Sequence, residues 1–383
     1  MVALSLAVAG LELAGAHPDP VQYDEWLRPA VSAGGLVFVS AQFGTRADGS
    51  LAGPGIEEQT ARALERMGEV LAAHDSSLAR LATVTVLLRQ ASDFAAMNEA
   101  YRAHVGDDPP ARTTVVSDLP GEARIAISAV AVRQGRLREV LHPAGWVRSP
   151  RPYSYIVRTE HLVFFSGLVS RRGQDDQPLP GPIGTQMKTI LDNAGVLLRT
   201  AGLTYRDVVS SRVFITDELS FGDMNDAYRR VFAAEPPARA TAVMPLVAAD
   251  AKVEMTFVAS TAGREALGPT VAPSLPLSAA VAAGPFVFLS GVLGNTDANA
   301  ADAGAQMRES LTRIGRTLET AGVAFADVVD AIVYLRDPRQ RAEVESSYRE
   351  FFPADPPARS TLGAQLVAPT GLVEVMAVAA KER

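Results

Sequence analysis

One motif occurs three times along the chain, and this repetition constrains the fold more than any other feature of the sequence. The motif is Pro-Pro-Ala-Arg, and its arginines are Arg112, Arg239 and Arg359, which lie 127 and 120 residues apart. A threonine follows two residues after each arginine. Self-similarity over so long an interval indicates tandem structural units rather than a local pattern. The chain is therefore predicted to contain three related units.

Three other features recur in the same order within each unit. They are a hydrophobic run that ends in serine, a glutamine that opens an amphipathic segment, and a tyrosine before the Pro-Pro-Ala-Arg motif. These residues are Ser40, Gln59 and Tyr101 in the first copy, Ser166, Gln186 and Tyr228 in the second, and Ser290, Gln306 and Tyr348 in the third. The segments Arg138–Pro143 and Arg264–Pro269 resemble each other and begin the later copies. We place the copies at residues 1–134, 135–261 and 262–383.

Composition agrees with soluble globular units and excludes several classes of protein and site. The 383 residues include no cysteine, 48% are hydrophobic and 21% are charged, which excludes a disulfide-stabilised secreted module, a disordered chain and a collagen-like fibre. Without cysteine the chain has no thiolate nucleophile and no Cys-ligated zinc. The formal charge of -7 disfavours a general phosphate-binding surface, although a local basic groove is compatible with it.

The apolar segment Met1–Gly15 raises the question of a signal peptide. No lysine or arginine precedes it, and Glu12 interrupts it before any small residues that resemble a cleavage site, so a signal peptide is disfavoured. Alternation of apolar residues from Val2 to Val8 predicts a half-buried strand instead. No other uncharged apolar run approaches the roughly 18 residues of a membrane helix. We predict a cytoplasmic protein without a membrane segment.

Within one copy, the hydrophobic period changes from two to 3.6 residues and back, which indicates an α+β unit. A short apolar run after Gly34-Gly35 predicts a strand, and Asp108-Pro109-Pro110 prevents the second helix from continuing. The expected elements of the first copy are strands at 36–41, 83–88, 112–116 and 124–132, and helices at 56–73 and 93–105. The other copies predict helices at 183–200, 221–232, 305–320 and 342–352.

Each copy resembles a full-length member of the Rid (YjgF-type) family, and the second copy carries the most complete set of motifs. These are Tyr153, Ser166-Gly167, Gln186, Met224-Asn225-Asp226-Ala227-Tyr228, Pro237-Ala238-Arg239 and Val253-Glu254. The resemblance implies three tandem chorismate-mutase-like (RidA-like) units, each a mixed β-sheet with two helices on one face. Family members are generally homotrimers with clefts between subunits. The resemblance therefore implies a monomeric, intramolecular pseudo-trimer with three unequal clefts.

The same resemblance implies hydrolysis of 2-imino acids, formed from enamines, to 2-keto acids and ammonia. The substrate carboxylate would be held by Arg112, Arg239 and Arg359, because a guanidinium presents a bidentate fork that lysine lacks. An alternative is that these arginines form salt bridges with a neighbouring copy. The expected ligand is a small molecule that carries a carboxylate.

The acid that would handle water and protons is present in two copies. Counting 15 residues from the arginine reaches Glu254 and Glu374, whereas the first copy offers Ile127, or Ala126 after one deletion. We predict one or two working clefts, built around Arg239 with Glu254 and around Arg359 with Glu374. The alternative is that each glutamate simply pairs with an adjacent arginine.

Further substrate contacts follow from the resemblance. Tyr153 would cover the substrate, whereas the corresponding positions fall near Trp26 or Leu27 and at Leu277. Ser166, Gly167, Ser290 and Gly291 would contact ligand, with Ala41 in place of glycine in the first copy; Asn225 matches Asn98 and is replaced by Glu345. No histidine recurs to activate a serine, and the five histidines lack metal-ligand spacing. We expect no metal and no cofactor.

Three alternatives to a general imine hydrolase stay open at this stage. The divergent cleft positions suit a pathway-specific enzyme that hydrolyses, cyclises or condenses a larger reactive intermediate. A non-catalytic or regulatory protein that binds small carboxylates would need the arginines alone. RNA cleavage, a label that the family sometimes carries, is disfavoured by the negative charge and by the lack of interleaved basic and aromatic residues.

Overall fold

The computed structural model describes residues 26–270 and 275–381. The strand predicted at Val2–Val8 and the predicted start of the first copy around Leu11–Pro18 lie outside these residues. Within the described ranges the chain forms three β-sheets and six α-helices, and no helix there is long and apolar enough to span a membrane. The prediction of three α+β units is confirmed.

The first copy shows the unit in its simplest form. Its five strands are ordered β1-β2-β5-β3-β4, and only β3 and β4 pair in parallel. The parallel pair requires a crossover, which the second helix of the copy supplies. The elements are β1 (Ala30–Ala33), β2 (Leu36–Phe43), α1 (Ile56–Ala72), β3 (Leu81–Leu88), α2 (Phe94–Val105), β4 (Ala111–Val116) and β5 (Ile125–Val132).

The second and third copies repeat this plan and add strands at the sheet edges. Their sheets run β18-β10-β9-β11-β8-β7-β6 and β12-β13-β14-β19-β16-β17, with β15 paired to β19. The second copy contains β6 (Arg138–Leu141), β7 (Ile156–Thr159), β8 (Leu162–Phe165), α3 (Ile183–Thr200), β9 (Val208–Ile215), α4 (Phe221–Arg229), β10 (Ala238–Val243) and β11 (Val253–Ser260). The third contains β12 (Glu265–Thr270), β13 (Ser278–Ala283), β14 (Phe286–Leu289), β15 (Val292–Leu293), α5 (Ala303–Thr320), β16 (Val328–Leu335), α6 (Arg341–Phe351), β17 (Ala358–Gly363), β18 (Gln365–Leu366) and β19 (Val373–Ala380).

Each pair of helices covers one face of its own sheet and closes a separate core. In α1 the residues Ala63, Leu64, Met67 and Leu71 are buried because they recur at helical spacing on one side. They pack with residues of β2, β3 and β5 in one hydrophobic cluster. Equivalent clusters lie under the helices of the other two copies.

The opposite sheet faces meet one another and join the three copies into a closed pseudo-trimer. Two further hydrophobic clusters contain residues from all three copies, one around Phe38, Phe164 and Phe288 and the other around Phe214 and Tyr334. Strand β18 of the third copy also extends the sheet of the second through β10. The boundaries placed between the copies stay predictions, but this shared interior shows that the three units form one body.

Candidate functional site

The three motif arginines begin equivalent strands and are buried. Arg112, Arg239 and Arg359 pair with Val84, Ser211 and Ala331 of the parallel neighbour strand. Only 4%, 1% and 5% of their surfaces are exposed. Burial lowers the pKa of Arg112 and Arg239, although a guanidinium remains charged at neutral pH.

An asparagine on the adjoining helix orients each of the first two arginines. Nη2 of Arg112 donates to Oδ1 of Asn98 at 2.6 Å, and Nη2 of Arg239 donates to Oδ1 of Asn225 at 2.7 Å. The guanidinium also lies over a tyrosine ring, with the carbon 4.9 Å from the Tyr101 centroid in the first case. Asn225, predicted to contact substrate, thus has its carbonyl oxygen engaged with the arginine.

A serine joins each arginine strand to the next copy. The Arg112 N–H donates to Oγ of Ser166 at 2.8 Å, and this hydroxyl donates to the carbonyl of Ser154 at 2.7 Å. Ser290 joins Arg239 in the same way, and Ser40 joins Arg359. The hydroxyls predicted to contact ligand therefore hold neighbouring copies together, and the arginine of one copy faces the next.

This junction determines which glutamate meets which arginine, and the pairing predicted within single copies is wrong. Glu254 of the second copy interacts electrostatically with Arg112 of the first, and Glu374 of the third copy interacts with Arg239 of the second. Both of these clefts thus combine an arginine from one copy with an acid from the next. We call the Arg112–Glu254 site cleft 1, the Arg239–Glu374 site cleft 2 and the Arg359 site cleft 3.

Both glutamates are unusual acids. Each is 5% exposed, and burial raises the pKa of Glu254 to about 8 even though a backbone hydrogen bond from Thr114 and the charges of Arg212 and Arg112 act in the opposite direction. Burial also raises the pKa of Glu374 to about 8 against the charge of Arg239. Both carboxyls are therefore largely protonated at pH 7, because the buried site disfavours the charged form.

A glycine makes room for each of these carboxyls. A Cβ at Gly167 would stand 2.0 Å from Oε1 of Glu254, and a Cβ at Gly291 would stand 1.8 Å from Oε1 of Glu374. The N–H groups of the two glycines, predicted to contact ligand, instead donate to the carbonyls of Arg112 and Arg239 at 3.0 Å. A side chain at either glycine would therefore have to displace the carboxyl from its observed position.

Cleft 3 has lost the acid and the glycine together. Ala126 pairs with Leu87 just as Glu254 pairs with Phe214 and Glu374 with Tyr334, so Ala126, rather than Ile127, occupies the acid position. Ala41 follows Ser40 where the other copies have glycine. With alanine at position 126 no carboxyl enters that space, and a methyl group at position 41 is tolerated.

Cleft 3 instead holds a carboxylate of its own copy against the arginine. Glu345 stands on α6 in the place of the two asparagines and forms a salt bridge with Nη2 of Arg359. Arg341 lies 3.5 Å from the same Glu345 oxygen. The carboxylate takes the same Nη2 donor that the asparagines take in the other clefts, but it also neutralises the charge of Arg359 and so disfavours an anionic substrate there.

The predicted aromatic cover is present in one cleft. The carbonyls of Ser154, Ser278 and Arg28 accept equivalent hydrogen bonds from Ser166, Ser290 and Ser40, so the residues before them, Tyr153, Leu277 and Leu27, are equivalent. The Tyr153 ring lies 5.7 Å from the Arg112 guanidinium carbon. Cleft 1 is thus the most complete: arginine, asparagine, tyrosine and acid meet there.

The recurring glutamine, for which the sequence analysis predicted no role, positions the acid-bearing strand. In the second copy its side chain donates to the carbonyl of Asp250 at 3.0 Å and accepts from the N–H of Lys252 at 2.8 Å. Gln306 holds Thr370 and Leu372 in the same way. Lys252 and Leu372 lie two residues before Glu254 and Glu374, respectively, and both glutamines are buried.

Clefts 1 and 2 retain buried polar atoms that no described residue satisfies. They are Nη1 of Arg112, Nε and Nη1 of Arg239, and Oε2 of Glu374. A buried guanidinium donor without an acceptor is costly, and a bound carboxylate is the group that best fits its fork. In cleft 3 the unsatisfied atom beside the arginine is an acceptor, Oε2 of Glu345, and no nitrogen of Arg359 is left unsatisfied in this way among the described residues.

Comparisons with known proteins agree with this arrangement. The family model described as Endoribonuclease L-PSP matches residues 18–133, 147–261 and 269–381. A 2-iminobutanoate/2-iminopropanoate deaminase of Mus musculus is 31% identical over 108 residues, which cover 28% of this chain and 80% of the mouse protein. Reactive Intermediate Deaminase A, chloroplastic, of Arabidopsis thaliana is 27% identical over 144 residues, or 38% of this chain and 75% of the plant protein.

One solved structure resembles most of the chain. A chorismatase superposes with a TM-score of 0.57 at 15% sequence identity, and the match covers 79% of this chain and 93% of the chorismatase chain. At this identity the likeness concerns the fold alone.

Proposed function

This chain belongs to the Rid (YjgF) family, represented three times by the Endoribonuclease L-PSP model, and from that membership we propose that it hydrolyses reactive C=N compounds. The proposed substrate class is 2-imino acids or related enamines, and the products are a keto compound and ammonia. We assign the main activity to cleft 1 and a second activity to cleft 2.

The observation that carries this proposal is the pair formed by Arg112 and Glu254. The arginine presents a buried Nη1 without an acceptor among the described residues, which suits a substrate carboxylate. The carboxyl opposite it has a pKa near 8 and can hold a proton at neutral pH. An anion-binding fork beside a neutral acid is what an imine needs, because its nitrogen must be protonated before water adds.

The proposed reaction balances with water as the only co-reactant. Glu254 donates its proton to the imine nitrogen, water adds to the imine carbon, and the carboxylate accepts a proton from that water. The resulting carbinolamine collapses when Glu254 protonates the amino nitrogen and the C–N bond breaks. The hydroxyl proton returns to Glu254 as the carbonyl forms, so the acid is restored.

Clefts 2 and 3 are assigned different roles in this proposal. Cleft 2 retains Arg239, Asn225 and Glu374 but has Leu277 in place of the aromatic residue, so we expect weaker substrate binding there. In cleft 3 the salt bridge from Glu345 to Arg359 supports a structural role. Arg359 is therefore left out of the proposed catalytic set, while Arg112 enters it.

A larger, pathway-specific intermediate is the second candidate substrate, and one feature of cleft 1 favours it. Arg151 stands beside Tyr153 and is close enough to affect Arg112. Its Nη1 forms a salt bridge with Asp176 at 2.9 Å, and about a third of its side chain, 30%, is exposed. A second cation near the cleft would suit a substrate with another anionic or polar group.

RNA cleavage, suggested by the family description, is less well supported. The motif arginines are almost completely buried, a depth that suits a small molecule better than a polynucleotide backbone. Affinity for RNA depends on cations that reach many phosphates, and the net charge of -7 opposes this. A cytoplasmic location and a monomeric state stay predictions.

The proposal can be tested by generating 2-iminopropanoate with an amino-acid oxidase in the presence of the purified protein. We expect imine loss and keto-acid formation to accelerate over buffer. Arg112→Lys should lose most of this acceleration, because lysine keeps the charge but not the fork. Arg158→Lys, which changes a half-buried arginine outside the clefts, serves as the matched control.

Two results would contradict the proposal. One is no acceleration by the natural sequence. The other is an Arg112→Lys variant as active as Arg158→Lys. Keto-acid binding without imine hydrolysis would instead indicate a non-catalytic carboxylate-binding protein, and turnover confined to larger imines would favour the pathway-specific substrate.

A further inference from the structure

A cavity of mixed polar and apolar lining lies where the three sheets face one another. It encloses about 110 Å³ and is lined by residues of all three copies. On strand β9 the cavity-lining residues Ser210 and Arg212 lie between Val209, which belongs to one shared hydrophobic cluster, and Phe214, which belongs to the other. The cavity thus places polar and charged side chains among apolar ones, between the two shared hydrophobic clusters. We call it the axial cavity.

The fusion of three copies makes this cavity chemically unequal. Each motif arginine pairs with a residue on the neighbouring parallel strand. The residue that follows this partner is Thr85 in the first copy, Arg212 in the second and Ile332 in the third. Two residues earlier, the equivalent positions hold Thr83, Ser210 and Asp330. One cation and one anion therefore line the cavity. Three identical subunits would place three like charges around the axis, which is unfavourable.

Arg212 and Asp330 do not neutralise each other directly. Nη2 of Arg212 donates to Oγ1 of Thr85 at 3.0 Å, and the Asp330 carboxylate accepts the N–H of Ala331. In the described part of the chain no salt bridge joins the two side chains, although Arg212 acts electrostatically on Asp330. Separated charges in an apolar interior are costly unless something bridges them.

We propose that the axial cavity binds a small zwitterion, a free α-amino acid, with its carboxylate on Arg212 and its ammonium group on Asp330. Arg212 and Asp330 stand on equivalent strands at positions that differ by two residues, which corresponds to about 7 Å along the strand direction. The two charged side chains therefore start from different levels of the cavity, as the two ends of a bridging zwitterion require.

The size and the remaining lining fit such a ligand. An apolar cavity of about 150 Å³ holds benzene, so a cavity of 110 Å³ suits glycine, alanine or serine rather than a larger amino acid. Hydroxyl groups of Ser128, Thr256 and Ser360 also line the cavity. They can donate to a carboxylate or accept from an ammonium group.

The test uses L-alanine as the probe and the intact chain. Titration calorimetry should detect saturable binding of L-alanine, with acetate and methylammonium binding at least tenfold more weakly at this site. Arg212→Ile and Asp330→Ser should each weaken alanine binding at least tenfold. Both replacements occur naturally at the equivalent positions Ile332 and Ser210. Ile332→Val, in the same layer, is the matched control.

Asp330→Asn provides a near-isosteric variant should the serine variant fold poorly, and a crystal structure with L-alanine locates the bound molecule. Electron density for alanine between Arg212 and Asp330 supports the proposal. Three outcomes overturn it: no saturable binding to the natural sequence, binding that survives the substitutions at both residues, or density in the cavity that fits water alone. A fourth such outcome is acetate binding within the axial cavity, seen as density there, that is as tight as that of alanine.

This proposal does not depend on catalysis in the clefts. Asp330 belongs to none of the three clefts, so its substitution should leave acetate binding at the cleft arginines unchanged. Loss of alanine binding with acetate binding retained therefore separates the axial cavity from the clefts. Imine hydrolysis can succeed or fail without altering this outcome.

Discussion

Clefts 1 and 3 have the same framework but place their carboxylate on opposite sides of the arginine. In cleft 1 the acid, Glu254, comes from the neighbouring copy and leaves part of the Arg112 guanidinium without a partner. In cleft 3 the acid, Glu345, comes from the helix of the same copy and forms a salt bridge with Arg359. One carboxylate position thus separates a site that can receive an anion from a site that is already neutralised.

The difference teaches that fusion relaxes a constraint on the family's assembly. In a trimer of identical chains, every substitution appears in all three clefts at once. In this chain the first copy can lose its acid and its glycine while clefts 1 and 2 keep theirs. The axial pair of Arg212 and Asp330 follows the same logic, because a single fused chain can place opposite charges on one axis.

The sharpest test of this comparison removes the acid of cleft 1. Glu254→Gln keeps the shape of the neutral side chain but cannot transfer a proton, so turnover in cleft 1 should fall about 10²- to 10⁴-fold. Total imine hydrolysis should then equal what cleft 2 supplies. Adding Glu374→Gln should remove that remainder, as measured by keto-acid formation.

Glu345→Gln in cleft 3 is the matched control for this experiment. It changes an equally small group in the cleft that we assign a structural role, and turnover should stay within about twofold. The assignment of catalysis to cleft 1 and of a structural role to cleft 3 would be contradicted if Glu345→Gln lowered turnover as much as Glu254→Gln. It would also be contradicted if the double variant remained fully active.

A second prediction concerns the link between the glycine and the acid. Gly167→Ala should displace the Glu254 carboxyl, because the added Cβ would stand 2.0 Å from its oxygen. Overpacking of this kind costs about 1–3 kcal/mol, and turnover should fall at least tenfold. Thermal unfolding and imine hydrolysis measure the two effects.

A double variant recreates the combination of residues found in the first copy. Gly167→Ala combined with Glu254→Ala reproduces Ala41 with Ala126, so the unfolding temperature should recover relative to Gly167→Ala alone while activity remains low. Gly222→Ala, on a helix where a Cβ would meet nothing within 4 Å, is the control. An equal loss of stability in the single and double variants would contradict the steric explanation.

The pH dependence should distinguish the raised acids from ordinary carboxyls. Glu254 donates a proton in the proposed reaction, so kcat/KM should fall as pH rises above about 8, where the carboxyl ionises. The decline should approach tenfold per pH unit in the limit of one essential acid. A profile that rises through pH 8 would contradict the role of a protonated glutamate.

The same acid links pH to folding. In the folded chain the pKa of Glu254 is about 8, against an ordinary value of 4.5, so the folded state binds its proton more tightly. Stability should therefore decrease as pH rises through this range. Glu254→Gln should flatten part of that decrease in thermal unfolding.

A smaller effect is expected from the aromatic residue. Tyr153→Leu gives cleft 1 the residue that clefts 2 and 3 have at Leu277 and Leu27. KM should rise several-fold, roughly the value of one contact on an aromatic face, while kcat changes less because the acid is untouched. A drop in kcat at unchanged KM would instead indicate that Tyr153 takes part in proton transfer.

The sequence predicted the fold well because its signals act within one copy. Hydrophobic periodicity predicted α3 at Ile183–Thr200, and the structure has the same bounds. The count from arginine to acid also identified Ala126 as one of two candidates for the missing acid. These features depend on local spacing, which a repeat displays three times.

The pairing within the clefts was not predictable in the same way. Arg112 and Glu254 are distant in sequence, and only the junction through Ser166 brings them together. The role of the glycines was missed for the same reason, since the need for glycine at position 167 comes from a side chain on another strand. One signal was available in the sequence. The first copy replaces both the glycine, by Ala41, and the acid, by Ala126, and such a joint replacement indicates that the two positions are in contact.

The finest test of the comparison concerns Arg212, which lies in the axial cavity yet lowers the pKa of Glu254 after burial has raised it. The equivalent residue near Glu374 is Ile332, so cleft 2 lacks this cation. Arg212→Ile should make cleft 1 resemble cleft 2 by moving the upper pH midpoint of its kcat/KM upward. The shift should be less than about one pH unit, because a charge beyond hydrogen-bonding distance is partly screened. An unchanged midpoint, or one that moved downward, would mean that the axial cation does not reach the cleft.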